Sequence, residues 1–185
     1  MTLLEEAMIE IAALLDELHL PYMVIGAAAV GFWGEPRATL DVDVTIWVEP
    51  DRIEATVEEF ASRLTLRTAN PMETMQRLRL LPVRATNGVP IDLLFAKWPI
   101  EKQALERAVW LQIGNAQVRV APLEYLLFLK LISDRPKDLA DAEALIRRHR
   151  ATADLSWLKA EITALADSIA QPEIVQRFLR LMEGR

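Results

Sequence analysis

Residues 40–48 read Leu-Asp-Val-Asp-Val-Thr-Ile-Trp-Val and carry the clearest strand pattern in this chain. Apolar and polar residues alternate at its start, and β-branched side chains dominate it, which is typical of a strand. Asp41 and Asp43 lie two residues apart, so both carboxylates would point to the same face. Either this face is solvated, or a cation lies close to the two acids, because burying uncompensated carboxylates is costly.

A third acid interrupts another apolar segment. Asp92 lies within residues 89–95, Val-Pro-Ile-Asp-Leu-Leu-Phe, which we predict to be a strand. If this strand neighbours the first, Asp41, Asp43 and Asp92 would converge on one point. Clustered carboxylate oxygens suit Mg²⁺, which binds a few carboxylates together with substrate phosphates. The three aspartates are therefore candidate metal ligands.

The segment before the first acid contains groups suited to phosphate. Residues 22–25 are a short apolar run, and Gly26 opens a run of small residues that we interpret as a strand-to-helix turn. Such a turn lets the backbone approach phosphate oxygens closely. Arg37 and Thr39 lie just upstream of the acids, where they could offset phosphate charge.

The rest of the chain predicts a mixed α/β core followed by helices. Amphipathic helices are expected over residues 2–18, 53–64 and 99–108, and hairpins at Asn87-Gly88 and Gly114-Asn115. No strand candidate follows Pro122. We therefore predict an α/β core over residues 1–121 and a C-terminal helical region over residues 122–185 that packs on the core.

Composition narrows the possible functions. The 185 residues include 27 acidic and 21 basic side chains and no cysteine, which removes disulfides and thiolate chemistry. The net charge of −6 disfavours extended wrapping of nucleic acid. A local basic groove is still possible, because residues 67–84 contain one acid, Glu73, against four arginines: Arg67, Arg77, Arg79 and Arg84.

We expect no membrane-spanning segment and no export signal in this chain. The longest uncharged stretch, residues 18–34, is too short and too interrupted by proline and glycine to span a membrane. The first residues are acidic where a signal peptide would be basic. We expect a cytoplasmic protein without a membrane partner.

The combined spacing resembles a known pattern. Val24-Ile25-Gly26-Ala27, a spacer and then Asp41-Val42-Asp43-Val44 resemble the signature of the DNA polymerase β-like nucleotidyltransferase superfamily, and Asp92 matches its third acid. Residues 33–43 are further similar to the AbiEii/AbiGii toxin-like branch, known from bacterial abortive-infection and toxin–antitoxin systems. Ala27 stands where the family has glycine or serine.

A second match lies in the C-terminal region. Lys130 and residues 134–141, Asp-Arg-Pro-Lys-Asp-Leu-Ala-Asp, resemble an element of the same branch in which the matching lysine and aspartate belong to the active site. By its position, Lys130 could either reach solvent from an apolar helix or point into a cleft. Four charged residues would share one helix face, which could equally be solvated: Asp134, Lys137, Asp138 and Asp141.

The resemblance implies a nucleotidyltransferase-like fold, a mixed β-sheet core flanked by helices. It implies transfer of an NMP from an NTP to a hydroxyl of a tRNA 3′ end or a protein, with two Mg²⁺ ions, and a cognate antitoxin as a protein partner. The implied catalytic residues are Asp41, Asp43, Asp92 and Lys130. The implied nucleotide-binding residues are Gly26, Ala27, Arg37, Thr39, Lys137 and Asp138.

Two alternatives remain beside this hypothesis. The alanine at position 27 and the acidic surface are compatible with a weakly active or inactive binding or regulatory protein. The same three acids could instead serve transfer to a small molecule such as an antibiotic.

Overall fold

The computed structural model describes residues 1–35 and 38–183, and within them the chain forms seven strands, nine α-helices and one 3₁₀ turn. The strands are β1 (Tyr22–Ile25), β2 (Val42–Ile46), β3 (Thr65–Leu66), β4 (Leu80–Arg84), β5 (Pro90–Phe95), β6 (Val109–Ile113) and β7 (Ala116–Val120). The helices are α1 (Leu3–Glu17), α2 (Gly26–Trp33), α3 (Ile53–Arg63), α4 (Pro71–Leu78), α5 (Pro99–Glu106), α6 (Leu123–Ile132), α7 (Pro136–His149), α8 (Leu155–Ser168) and α9 (Glu173–Glu183). No helix in these two ranges is long and apolar enough to cross a membrane.

All seven strands join one mixed sheet in the order β3-β4-β5-β2-β1-β7-β6. The pairs β2–β5 and β1–β7 are parallel, and the other neighbours are antiparallel. The predicted fold class, an α/β sheet core flanked by helices and followed by a helical region, is confirmed.

Strand β2 is central, which explains its sequence. Val42, Val44 and Ile46 are fully buried, as the alternating pattern requires. The opposite face is also covered, because Thr45 is only 2% exposed. The interpretation of this face as simply solvated is therefore wrong at Thr45, while Asp43 is half-buried.

The first predicted hairpin region contains two elements that the sequence did not predict. Strand β3 is only two residues long, and helix α4 extends through Leu78. Pro71 occupies the first turn of α4, where proline is well tolerated. Arg79 ends the helix with a φ of 54°, and β4 then starts at Leu80.

The described chain divides into two compact units. The first comprises residues 1–29 and 38–121 and contains the whole sheet. The second comprises residues 30–35 and 122–183 and contains helices α6 to α9. Within the second unit, the imidazole of His149 hydrogen-bonds the carbonyl oxygen of Trp33 at 2.5 Å and meets its ring edge-on. The predicted packing of the helical region on the core stays a prediction.

Candidate active site

Two of the predicted acids lie side by side in the sheet. Asp43 of β2 and Asp92 of β5 are direct register partners in the parallel pair. Neighbouring strands are about 4.8 Å apart, so their carboxylates project from adjacent positions on one face. The condition that these two strands be neighbours is met.

Gly26 lies beside the same position. It follows β1, whose Ile25 pairs with Asp43, and it begins helix α2. Its φ is +66°, and a Cβ added there would lie only 1.9 Å from Oδ2 of Asp43. Glycine is therefore needed for the backbone conformation and also for the space that the Asp43 carboxylate occupies.

Asp41 is placed differently from the other two acids. It is exposed and precedes β2, so no strand register holds it beside Asp92. Thr39 donates a hydrogen bond from Oγ1 to Oδ1 of Asp41 at 2.7 Å. Over residues 1–35 and 38–183, no three His, Asp or Glu side chains are grouped closely enough to hold a metal ion. The expected convergence of all three acids is thus not found, and Arg37 lies outside the described residues.

Arg67 belongs to this site, although the sequence did not predict that position for it. Its Nη1 lies 3.0 Å from Oδ1 of Asp92, and the two side chains are 32% and 28% exposed. The backbone N–H of Arg67 donates to the carbonyl oxygen of Pro82 at 2.9 Å, and Pro82 is the register partner of Asp92. One row across the sheet therefore runs from Arg67 through Pro82 and Asp92 to Asp43.

The other arginines of the predicted basic groove have separate surroundings. Arg79 donates to the carbonyl oxygen of Phe95 and pairs with Glu101, whereas Arg84 donates to the carbonyl oxygen of Gly88 at 2.7 Å. Arg77 is exposed and lines a small polar cavity. Most of the local basic excess is therefore used in contacts within the protein.

In the second unit, Lys130 is held in a buried ion pair. Its Nζ lies 2.5 Å from Oδ1 of Asp138 and 3.0 Å from Oδ2 of Asp141. Asp138 also accepts hydrogen bonds from Oγ of Ser133 at 2.8 Å and from Nε of Arg135 at 2.5 Å. Lys130 is only 5% exposed, so it does not reach solvent from the end of α6.

The ionisation of Asp138 follows from these contacts. Burial alone would raise the pKa of its carboxyl group, because it disfavours the charged form. Hydrogen bonds from Lys130 and Ser133, together with the positive charges of Lys130 and Arg135, outweigh that effect and hold the pKa below its ordinary value. Asp138 is therefore a carboxylate at neutral pH.

The predicted shared face of the C-terminal element is only partly right. Asp138 and Asp141 both contact Lys130. Asp134 instead precedes α7 and is exposed, and Lys137 is exposed beside the buried Asp138. In this element, therefore, the carboxylate of Asp138 is buried, whereas the charged groups of Asp134 and Lys137 face water.

The fold resembles those of solved nucleotidyltransferase-like proteins. An antigenic nucleotidyltransferase-like protein from Paracoccidioides brasiliensis shares 18% identity, covers 94% of this chain and 91% of its own, and has a TM-score of 0.52. The antibiotic-resistance factor ANT(2'')-Ia shares 15% identity over 91% of this chain and 96% of its own, with a TM-score of 0.58. The lincosamide antibiotic adenylyltransferase LnuA shares 11% identity over 76% of this chain and 95% of its own, with a TM-score of 0.52.

At these identities the similarity establishes the fold, and this chain has a nucleotidyltransferase-like fold. No protein-family model matches the sequence, and no curated protein matches it significantly.

Proposed function

We propose that this protein is a nucleotidyltransferase that moves an NMP from an NTP to an acceptor hydroxyl. The observation that carries the proposal is the register of Asp43 with Asp92 beside the Gly26 turn. This arrangement lies in a chain whose fold is nucleotidyltransferase-like. Two carboxylates in register on neighbouring strands in the middle of the sheet are costly, which favours a functional reason for them.

The residues fit a divalent ion such as Mg²⁺. Asp43 and Asp92 offer oxygen donors from adjacent positions, and the missing Cβ of Gly26 leaves room for one of them. Asp41, whose carboxylate accepts a hydrogen bond from Thr39, is the candidate third ligand of a two-metal site by the resemblance alone, and it would have to move toward the other two acids to serve as one. When bound, such an ion neutralises phosphate charge and lowers the pKa of the attacking hydroxyl.

The chain's own groups account for nucleotide binding. Helix α2 begins at Gly26, so the amides of Gly26 and Ala27 are the first-turn donors that an anionic phosphate would accept from. Thr39 keeps the Asp41 carboxylate in place, and Arg37 would offset phosphate charge. These roles rest on position in the chain and on the resemblance of residues 24–44.

The C-terminal element supplies the remaining proposed roles. By resemblance, Lys130 is catalytic, and Lys137 and Asp138 bind the nucleotide. The ion pair with Asp138 would fix the Lys130 ammonium group in one orientation, and this favours a defined electrostatic role over a mobile one.

For the acceptor, we propose a tRNA 3′ end or a protein hydroxyl, with the protein acting as the toxin of a bacterial toxin–antitoxin or abortive-infection system and paired with an antitoxin. Support comes from the resemblance of residues 33–43 and 130–141 to that branch. Transfer to an antibiotic is the second candidate, because two of the structural neighbours are antibiotic-resistance or antibiotic adenylyltransferase proteins.

A transfer assay tests the proposal. The full chain is incubated with each labelled NTP, Mg²⁺ and either tRNA, a candidate antitoxin or aminoglycoside and lincosamide antibiotics. We expect transfer by the wild type and by Asp51→Asn, a matched change at an exposed acid, and loss of at least about a hundredfold in Asp43→Asn. Equal transfer by Asp43→Asn and wild type would overturn the assignment, whereas nucleotide binding without transfer would indicate a binding protein.

A further inference from the structure

The ion pair between Arg67 and Asp92 raises a question that the proposed reaction does not answer. Asp92 is a candidate metal ligand, yet one of its oxygens already contacts a guanidinium group at 3.0 Å. A carboxylate oxygen that accepts from arginine is less available to a cation, and the positive charge repels one that approaches.

The backbone keeps Arg67 close to this position. Its N–H donates to Pro82, which lies directly opposite Asp92 on the adjacent strand. Pro82 itself has no N–H, so at this position β4 can offer Arg67 only its carbonyl oxygen. The arginine side chain then extends past Pro82 to reach the carboxylate, which is more than one strand spacing away.

The charge balance of the row explains why a cation is needed there. Asp43 and Asp92 lie in register and repel each other when both are ionised. Arg67 brings one positive charge against Asp92 and reduces that repulsion without any bound ligand.

We propose that Arg67 is a built-in counter-ion of Asp92 that competes with the divalent cation. The inference rests on the proposed function, since it concerns the same acids. Arg67 reduces the net negative charge of the ion-free site and weakens ion binding when no nucleotide is present. The phosphates of an NTP bring enough negative charge to offset the guanidinium group, so ion and nucleotide binding become coupled. Arg67 acts through its charge on Asp92 and takes no part in the transfer itself.

The test measures Mn²⁺ binding to the full chain by calorimetry and by the electron paramagnetic resonance of the free ion, with and without a non-hydrolysable NTP analogue. Without the analogue, Arg67→Gln should bind Mn²⁺ roughly three- to tenfold more tightly than wild type. Arg67→Lys, which keeps the charge, and Arg77→Gln, which removes an exposed arginine of the same segment, should stay within about twofold. With the analogue present, the difference between Arg67→Gln and wild type should shrink.

A residue that only held Asp92 in place would give the opposite sign, because its loss would weaken ion binding. Unchanged or weaker Mn²⁺ binding in folded Arg67→Gln overturns the inference, and Arg67→Met provides a second neutral variant if the first does not fold. The variant Asp43→Asn distinguishes a failure of the proposed metal site from a failure of the inference about Arg67. If it binds Mn²⁺ as well as wild type does, the proposed metal site fails and the inference fails with it. If it loses the ion while Arg67→Gln shows no tightening, only the inference fails.

Discussion

Each of the two units contains an ion pair, and the two ion pairs differ in burial. Lys130 and Asp138 have side chains that are 7% and 1% exposed, whereas Arg67 and Asp92 are 32% and 28% exposed. Removing one member of a buried pair leaves an uncompensated charge in a region of low dielectric. An exposed pair is screened by water and contributes little to stability. The first pair therefore holds the Lys130 ammonium group in a fixed position, whereas another cation can displace the guanidinium group of Arg67 from Asp92.

The largest effect on stability is expected from breaking the buried ion pair between Lys130 and Asp138. In Lys130→Met, Asp138 and Asp141 lose the ammonium group that both contact, and the free energy of unfolding should fall by about 3–5 kcal/mol. Urea denaturation followed by circular dichroism measures this change. A loss below about 1 kcal/mol would show that Ser133 and Arg135 satisfy Asp138 without the lysine, and the contrast between the pairs would then disappear.

Next in size is the substitution of Gly26 by alanine. The added Cβ would meet the Asp43 carboxylate at 1.9 Å in a backbone conformation with φ of +66°. We expect a loss of about 2–3 kcal/mol and of transfer activity, since Asp43 must move. Gly114→Ala is the matched control, because Gly114 has a φ of +57° and open space around it.

The Gly114→Ala control measures the stability cost of backbone strain alone. Gly114→Ala should cost about 1 kcal/mol through backbone strain alone. If thermal unfolding shows equal losses for the two alanine variants, the carboxylate of Asp43 does not need the space at Gly26, and the proposed arrangement of the site is wrong there.

The site around Gly26 also shows which parts of the structure could be predicted from the sequence. The alternation in residues 40–48 predicted β2, and the apolar run around Asp92 predicted β5, because side-chain period follows from strand geometry. Their adjacency was only a condition, since strand order depends on contacts between distant residues. Gly26 could be predicted as a turn, but its contact with Asp43 could not.

The surroundings of three other residues could not be predicted from the sequence pattern. Strand β3 spans two residues, so no periodicity could indicate that Arg67 faces Asp92. Lys130 follows an apolar run, which is equally compatible with a lysine that reaches solvent and with one that is buried in an ion pair. Asp41 was grouped with Asp43 by spacing alone, although β2 begins after it and leaves it outside the register.

The buried pair should also appear in the pH dependence of stability. The pKa of Asp138 is lowered in the folded protein, so its stabilising contribution is present above the ordinary value of 3.8 and is lost as the pH falls through the lower folded value. We expect the wild-type free energy of unfolding to fall more steeply below about pH 4 than that of Asp138→Asn, which has no carboxyl group to protonate there. Parallel curves from pH 6 to pH 2 would contradict this.

The smallest effect on stability is expected at the partly exposed pair of Arg67 and Asp92. Arg67→Gln should change the free energy of unfolding by about 0–1 kcal/mol, because water screens both charges and the backbone contact to Pro82 does not need the side chain. Urea denaturation at low and high salt measures this, with Lys130→Met as the reference. A large loss of unfolding free energy in Arg67→Gln that salt does not reduce would mean that the row of residues across the sheet depends on Arg67 for its structure. In that case the two pairs would be alike, and Arg67 could not serve as an exchangeable counter-ion.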